Sequence, residues 1–379
     1  MKFIHLSDLH LGKRVNEFSM LDDQCEILKQ ILEIIDVEKP EGVFIAGDIY
    51  DKSVPSAEAV QLFDEFLCEL AKRHLQVFII SGNHDSPERI AFGSRIMDAS
   101  GIHLSPVYNG KIAPITLHDE YGLVNVYMLP FLKPSHVRRF YENEDIVTYT
   151  DAMRIALSSC NIDLSARNIL VTHQFVTGAI TCESEDISVG GTDNVDVSVF
   201  SNFDYVALGH IHGEQNCGSN CVRYCGTPLK YSFSEINHNK SVTVVEILKK
   251  DELTVRTIPL IPTRDMSEIR GTFSELTNPI YYTGNPITEN YIHITLTDED
   301  DIPDAIGRLR IIYKNLMRLD YDNSRTRAHN VITSAMDTET KSAYELFAEF
   351  FEKQNNMSMS DDQSAYIKEL IEKIEEEMA

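Results

Sequence analysis

Eight polar residues of this chain stand where apolar runs end. FIHLSDLHL (3–11) carries Asp8 and His10, GVFIAGDIYD (42–51) carries Asp48, and QVFIISGNHD (76–85) carries Asn83 and His84. NILVTH (168–173) ends in His173, and DYVALGHIH (204–212) supplies His210 and His212. A carboxylate and an imidazole at the end of a buried run are costly unless something compensates them. Carboxylate, imidazole and amide oxygen without thiolate form a donor set for Mn²⁺, Fe or Zn²⁺ rather than for Ca²⁺ or a thiolate zinc site. The number of donors suggests two ions with one carboxylate bridging. Two ions about 3.5–4 Å apart suit phosphoryl chemistry, where they activate a water and bind phosphate oxygens.

The elements that must position these groups are legible in the periodicity. Residues 2–6, 42–48 and 76–81 read as buried strands. Between them Leu21, Cys25, Leu28, Leu32 and Ile35, then Val60, Phe63, Leu67 and Leu70, repeat at helical spacing. Lys39-Pro40 stops the first helix, and Pro55 stands near the start of the second. Strand–helix–strand–helix–strand is the α/β pattern with right-handed crossovers. Further strands are expected at 123–129, 168–173, 204–210 and 241–247, the last with mixed pairing. In open α/β sheets the loops at the carboxyl ends of strands converge on one crevice, so the polar groups can meet. After about residue 265 the character changes. YIHITLTD (291–298), a helix marked by Ile302, Ile306, Leu309 and Ile312, and MRLDY (317–321) suggest a small separate α/β domain. Two amphipathic helices follow from 337, the second opened by Ser360 and Gln363 at capping-box spacing.

The 379 residues carry a net charge of −25, which repels nucleic acid unless metal ions or local charge reverse the field. No apolar run reaches the ~20 residues of a membrane span. The N-terminal apolar segment is broken by His5, Asp8 and His10, unlike a signal peptide. A cytoplasmic protein with no membrane partner is the expectation. Seven cysteines make no disulfide framework, and Cys217, Cys221 and Cys225 lack a C-x-x-C pair, so they read as reduced thiols in a hairpin. No G-x-x-x-x-G-K-[ST] is present, so any ATP dependence must come from a partner.

D-x-H, G-D-x-x-D, G-N-H-D, a lone histidine and G-H-x-H, in this order, resemble the calcineurin-like metallophosphoesterases. SDLHLGKR, GNHDSPERIAFGS, DYVALGHIH and GTPLKYSFSE are similar to the SbcD family of bacterial nuclease subunits within that superfamily. The resemblance implies an α/β sandwich of two mixed β-sheets flanked by helices over residues 1–265. A small capping, DNA-recognition domain at 266–330 and C-terminal helices at 331–379 would follow. It also implies two divalent ions, Mn²⁺ preferred, with Asp8, His10 and His212 on one, Asn83, His173 and His210 on the other, and Asp48 bridging. His84 would stand beside the scissile phosphate as the catalytic histidine, with Asp51 and Asp85 orienting ligands or His84. The implied activity is 3′→5′ exonucleolytic on duplex DNA and endonucleolytic on single strands and hairpins. The implied partner is an SbcC-like ATPase, bound through the C-terminal helices by a homodimer in a heterotetramer.

Alternatives remain open at this point. Lys13, Arg14 and Arg89 flank the metal loops as phosphate contacts or as solvated charge. Arg308, Arg310, Lys314, Arg318, Arg325 and Arg327, against Asp320 and Asp322, form either a backbone-tracking patch or a chance cluster. A phosphoesterase for small nucleotides or cyclic diesters would use the same metal core and suits the negative charge. The residues after 265 have no evident use in such an enzyme. A scaffold whose metals only stabilise the fold leaves His84 without a purpose.

Overall fold

The structure, a computed structural model, describes residues 1–185, 193–300 and 302–324, with Thr326 and short stretches of the tail at 347–348, 351, 359–360, 363–367 and 370. In chain order the strands of the two large sheets are β1 (Lys2–Leu6), β2 (Gly42–Ala46), β3 (Gln76–Ile80), β4 (Ile102–Leu104), β5 (Ile115–Asp119), β6 (Gly122–Leu129), β7 (Arg167–His173), β8 (Tyr205–Gly209), β9 (Gln215–Cys217), β10 (Ser219–Tyr224), β11 (Ser241–Ile247) and β12 (Leu253–Pro259). They form two six-stranded sheets, ordered β12-β11-β1-β2-β3-β4 and β9-β10-β8-β7-β6-β5. β1 to β4 run parallel, while β11 is antiparallel to both β1 and β12. β10, β8, β7 and β6 run parallel, with antiparallel strands at each edge. Both sheets are therefore mixed, as expected.

Parallel strands covered on both faces lose the simple polar–apolar alternation, and GVFIA is buried at every position. One face of each sheet meets the other. Phe3, Phe44 and Phe78 share a core with Val126, Ile169, Val171 and Ala207, and Phe3 stacks on Phe44 at 4.7 Å. The opposite face of the first sheet, with Ile4, Leu6, Val43, Ile45 and Val77, packs under the helices α1 (Leu21–Glu38) and α2 (Ala57–Lys72). α1 ends where expected: Lys39 is left-handed at φ 50°, returns its N–H to Ile35 at 2.8 Å, and Pro40 follows. Its buried stripe is Asp23, Gln24, Ile27, Leu28, Ile31 and Ile35, rotated from the expected one. In α2, Phe63, Leu67 and Leu70 are buried with Ala59 and Phe66, whereas Val60 is exposed. The apolar surface of each helix is wider than the face that the sheet covers, so spacing alone leaves the rotation open.

Cys217 and Cys221 lie on the β9–β10 hairpin, with Cys225 just after it, and all seven cysteines are free. Strands 266–271, 291–296 and 316–321 form a separate three-stranded sheet with 291–296 in the middle. The helix read from Ile302 to Ile312 is shorter, Ala305–Arg310. Contacts divide the chain into a main unit (1–269, 277–294 and 306–319) and a second unit (270–276, 295–305 and from 320 onward). In the main unit the Asp23 carboxylate accepts hydrogen bonds from Arg264 and from the Tyr291 hydroxyl, the latter at 2.6 Å. In the second unit Asp298 caps Phe273 N–H at 2.7 Å. There Ser360 and Gln363 also exchange both hydrogen bonds of the capping box. Most of the C-terminal helices, with Arg325 and Arg327, lies outside the described residues. No described helix is long and apolar enough to cross a membrane.

Candidate metal centre

The site is assembled by backbone before any side chain is placed. The loop after β1 lies along the loop after β2. Asp8 N–H meets Gly47 O at 3.0 Å, His10 N–H meets Asp48 O at 3.0 Å, and Leu11 N–H meets Ile49 O at 2.9 Å. Asp8, His10, Asp48 and His210 have φ of 52°, 45°, 50° and 105°, a region that L-residues avoid at about 1–3 kcal/mol each. Close approach also dictates residue type. A Cβ at Gly82 would overlap the Asp48 side chain, and one at Gly209 would overlap Ala46 O and the His173 ring. Gly82 of G-N-H-D thus lets two neighbouring loops of the first sheet close on Asp48, and Gly209 of G-H-x-H lets the two sheets meet at the ligands.

All eight polar residues converge. His10 Nε2 and His212 Nε2 face each other at 3.2 Å, and the buried His10 Nδ1 has no hydrogen-bond partner. Asp8, His10 and His212 form one compact donor group, and Asp8, Asp48 and His173 another. Asn83 Oδ1 lies 2.9 Å from both His173 Nε2 and His210 Nδ1, while Asp48 Oδ2 is 3.4 Å from His173 Nε2 and 3.7 Å from His10 Nε2. The Asp48 carboxylate thus stands between His10 of the first group and His173 of the second, and Asp8 is common to both. His173 donates Nδ1–H to Ala46 O at 2.8 Å, which turns its Nε2 lone pair inward. His84 is at the rim, its side chain 22% exposed and its ring edge-on to His10. Its Nδ1–H meets the backbone carbonyl of Asp51 at 3.0 Å, leaving Nε2 free to face an incoming group.

Asp51 therefore touches His84 through its main chain, while its carboxylate holds Lys13 at 2.8 Å. Asp85 accepts N–H bonds from Ile49, Tyr50 and Gly82 and so ties the second and third loops together. Of the basic residues flanking the loops, Arg14 reaches Glu17 O and Arg89 reaches Ser53 O.

The electrostatics are those of a site built for cations. Burial, with Asp48 nearby, pushes Asp8 up to about 6. Burial lowers His10 well below the usual histidine range and His210 to about 3, the latter helped by His173. At His173 burial is outweighed by the Asp48 carboxylate, which raises it to about 9; at His212 burial is likewise outweighed, by the nearby Cys182 thiol and Glu235 carboxylate, which raise it to about 10. Burial would raise Asp48, but the His173 and His10 imidazoles hold it below the carboxylate range. Facing imidazole nitrogens and carboxylates in a dry pocket fit divalent ions, which satisfy them together.

The sequence pattern gives no role to Gln24, Ser184, Tyr231 or Lys240. Gln24 accepts Gly12 N–H at 2.9 Å and donates to His10 O at 2.8 Å. The Tyr231 hydroxyl donates to Leu9 O. Both brace the first loop. Tyr231 and Glu235 lie within GTPLKYSFSE, whose spacing alone carries no sign of these contacts.

A calcineurin-like phosphoesterase family model matches residues 1–214, and a model described as a type 5 capsule protein repressor C-terminal domain matches 262–355. The chain is 32% identical over 378 residues, 98% of each chain, to the SbcD component of the nuclease SbcCD from Staphylococcus epidermidis. It is 34% identical over 348 residues to the protein of the same name from Staphylococcus saprophyticus, covering 90% of this chain and 91% of that one. Among solved structures, a dimetal phosphatase from Danio rerio aligns with a TM-score of 0.41 at 13% identity, over 69% of this chain and 96% of the other. The chain belongs to the calcineurin-like phosphoesterase family and, within it, to the SbcD family of SbcCD nuclease components.

Proposed function

We propose that this protein is a two-metal DNA nuclease subunit. It would act as a 3′→5′ exonuclease on duplex ends and an endonuclease on single strands and hairpins, with Mn²⁺ the preferred ion. The observation that carries this reading is the pair of adjoining donor groups, sharing Asp8 and with Asp48 between His10 and His173, at the carboxyl ends of strands from both sheets. Asp8, His10 and His212 would hold one ion, Asn83, His173 and His210 the other, with Asp48 between them. The chemistry that divalent ions supply in such a site is polarisation of the phosphodiester and activation of a water. His84 stabilises charge on the phosphate or protonates the leaving oxygen. Its Nδ1–H is committed to Asp51 O, so the protonated ring has Nε2–H available for that oxygen. The burial of Asp8, Asp48, His173 and His210 keeps bulk water from competing for the ligands.

In the same reading residues 1–265 are the nuclease domain, 266–330 a DNA-recognition cap, and 331–379 helices that dock an SbcC-like ATPase. The working assembly is a homodimer in a heterotetramer serving DNA repair, recombination and replication in the cytoplasm. The relatives' shared name supports the SbcC-like partner, and seven free cysteines suit a reducing compartment. With a net charge of −25, the isolated chain should bind duplex DNA weakly and with strong salt dependence, the ATPase sharing the hold on DNA.

The test is an end-labelled linear duplex with Mn²⁺, run beside His84→Gln, a chelator and a chromogenic phosphodiester. Shortening of the duplex that requires both metal and His84 supports the nuclease reading. Hydrolysis of the small diester alone, unchanged when an SbcC-like ATPase is added, would favour an enzyme for small nucleotide or cyclic substrates, which the negative charge suits.

A further inference from the structure

Among the ligand candidates, His212 has a buried ion pair built around it. Its Nδ1 lies 2.8 Å from Ser184 Oγ and, more distantly, 3.4 Å from Glu235 Oε1, and Ser184 Oγ lies 2.5 Å from the same carboxylate oxygen. A hydroxyl has one proton, and the ionised carboxylate can only accept. Ser184 therefore donates to Glu235 and accepts from His212 Nδ1–H. That fixes the imidazole as the Nδ1–H tautomer and leaves the Nε2 lone pair directed at His10 Nε2, 3.2 Å away.

Glu235 itself is held from the other side. It is fully buried, its Oε1 also accepts Tyr231 N–H at 3.2 Å, and its Oε2 pairs with Lys240. The Lys240 ammonium, equally enclosed, donates to Thr227 Oγ1 at 2.6 Å and to the carbonyl of His212 at 2.9 Å. The His212 N–H meets Glu185 Oε1 at 2.6 Å. Side chain, carbonyl and N–H of this one residue are thus all gripped. A buried Glu–Lys pair is expensive to desolvate and weak evidence for stability by itself. Here its two ends converge on the side chain and the main chain of one histidine.

We propose that Glu235, acting chiefly through the Ser184 hydroxyl, with a longer direct contact of its own, and braced by Lys240, is the positioning residue that sets the tautomer and aim of His212. It thereby sets the affinity of one of the two cation sites and not of the other. The contrast lies in the partners. His173 is oriented by a main-chain carbonyl that no substitution removes, whereas the orientation of His212 depends on side chains that can be changed. This inference rests on the reading of His212 as a ligand.

The test titrates the full chain with Mn²⁺ alone and reads the two binding steps by calorimetry and by electron paramagnetic resonance of free Mn²⁺. Ser184→Ala and Glu235→Gln should each weaken one step by about 10–100-fold and leave the other within about two-fold, with Ser184→Thr restoring the lost affinity. If Glu235→Gln does not fold, because Lys240 then lacks its counter-charge, Ser184→Ala and Ser184→Thr still decide. Two unchanged steps, or an equal loss in both, would overturn the proposal. His212→Ala separates the two levels. If it leaves both steps intact, the ligand reading itself fails and the positioning role with it. If it removes one step while Ser184→Ala changes nothing, only the positioning role fails.

Discussion

The carboxylate of Asp8, at the end of β1, accepts the backbone N–H of His210, at the end of β8, with oxygen–nitrogen distances of 3.0 and 3.1 Å. The two residues belong to different sheets and are 202 positions apart. This bond closes the carboxyl edge of the sandwich over the site. Both residues have positive φ, so the contact is held in a conformation that neither would adopt alone.

His84→Gln should reduce turnover by about 10²–10⁴-fold with metal content unchanged, because its ring stands at the rim with Nδ1 committed to Asp51 O and Nε2 3.9 Å from Asp48 Oδ2, beside the cation sites. Elemental analysis beside the cleavage assay checks both halves. Equal rates would remove His84 from the chemistry.

Asn83→Ala should cost one ion and spare the other. Its Oδ1 serves only the His173 and His210 side, whereas Asp48→Ala should empty both. Mn²⁺ stoichiometry after desalting reads the difference.

Gly82→Ala should lower both stability and metal content, since the added methyl lands on the Asp48 side chain and on its backbone nitrogen. A thermal melt with and without Mn²⁺ should show a variant that the ion rescues poorly.

Tyr291→Phe should destabilise the chain by about 1–2 kcal/mol, as the buried Asp23 carboxylate loses one of its donors and keeps only Arg264. Denaturant midpoints at constant slope would measure it.

His5 gives a pH prediction away from the ligands. It is fully buried between Tyr205 OH at 2.9 Å and Leu208 O at 3.2 Å, and burial, aided by the Arg223 charge, lowers it to about 3. The folded state therefore binds this proton less readily than the unfolded one, whose histidine titrates near 6.5. The resulting stability is intact above that pH and is lost as pH falls from about 6.5 toward 3, at up to about 1.4 kcal/mol per unit. His5→Gln should be less stable at neutral pH and should show a shallower acid limb. Parallel limbs in a pH series of melts would refute the assignment.

The sequence by itself determined the strand ends that carry the site, the stop of α1, the capping box at Ser360 and Gln363, and the eight polar residues of the site. Each is local: a periodicity of two or 3.6, a proline, or a motif within a few residues. Tertiary structure alone decided which stripe of α1 is buried, and that Asp23 lies on it beside Arg264 and Tyr291. It also decided that Asp51 meets His84 by its carbonyl and that Ser184, Glu235 and Lys240 close around His212. Apart from the Glu235–Lys240 pair, these contacts join residues up to 268 positions apart. No short-range spacing encodes them, because they exist only once the two sheets are stacked and the loops at their ends are pressed together.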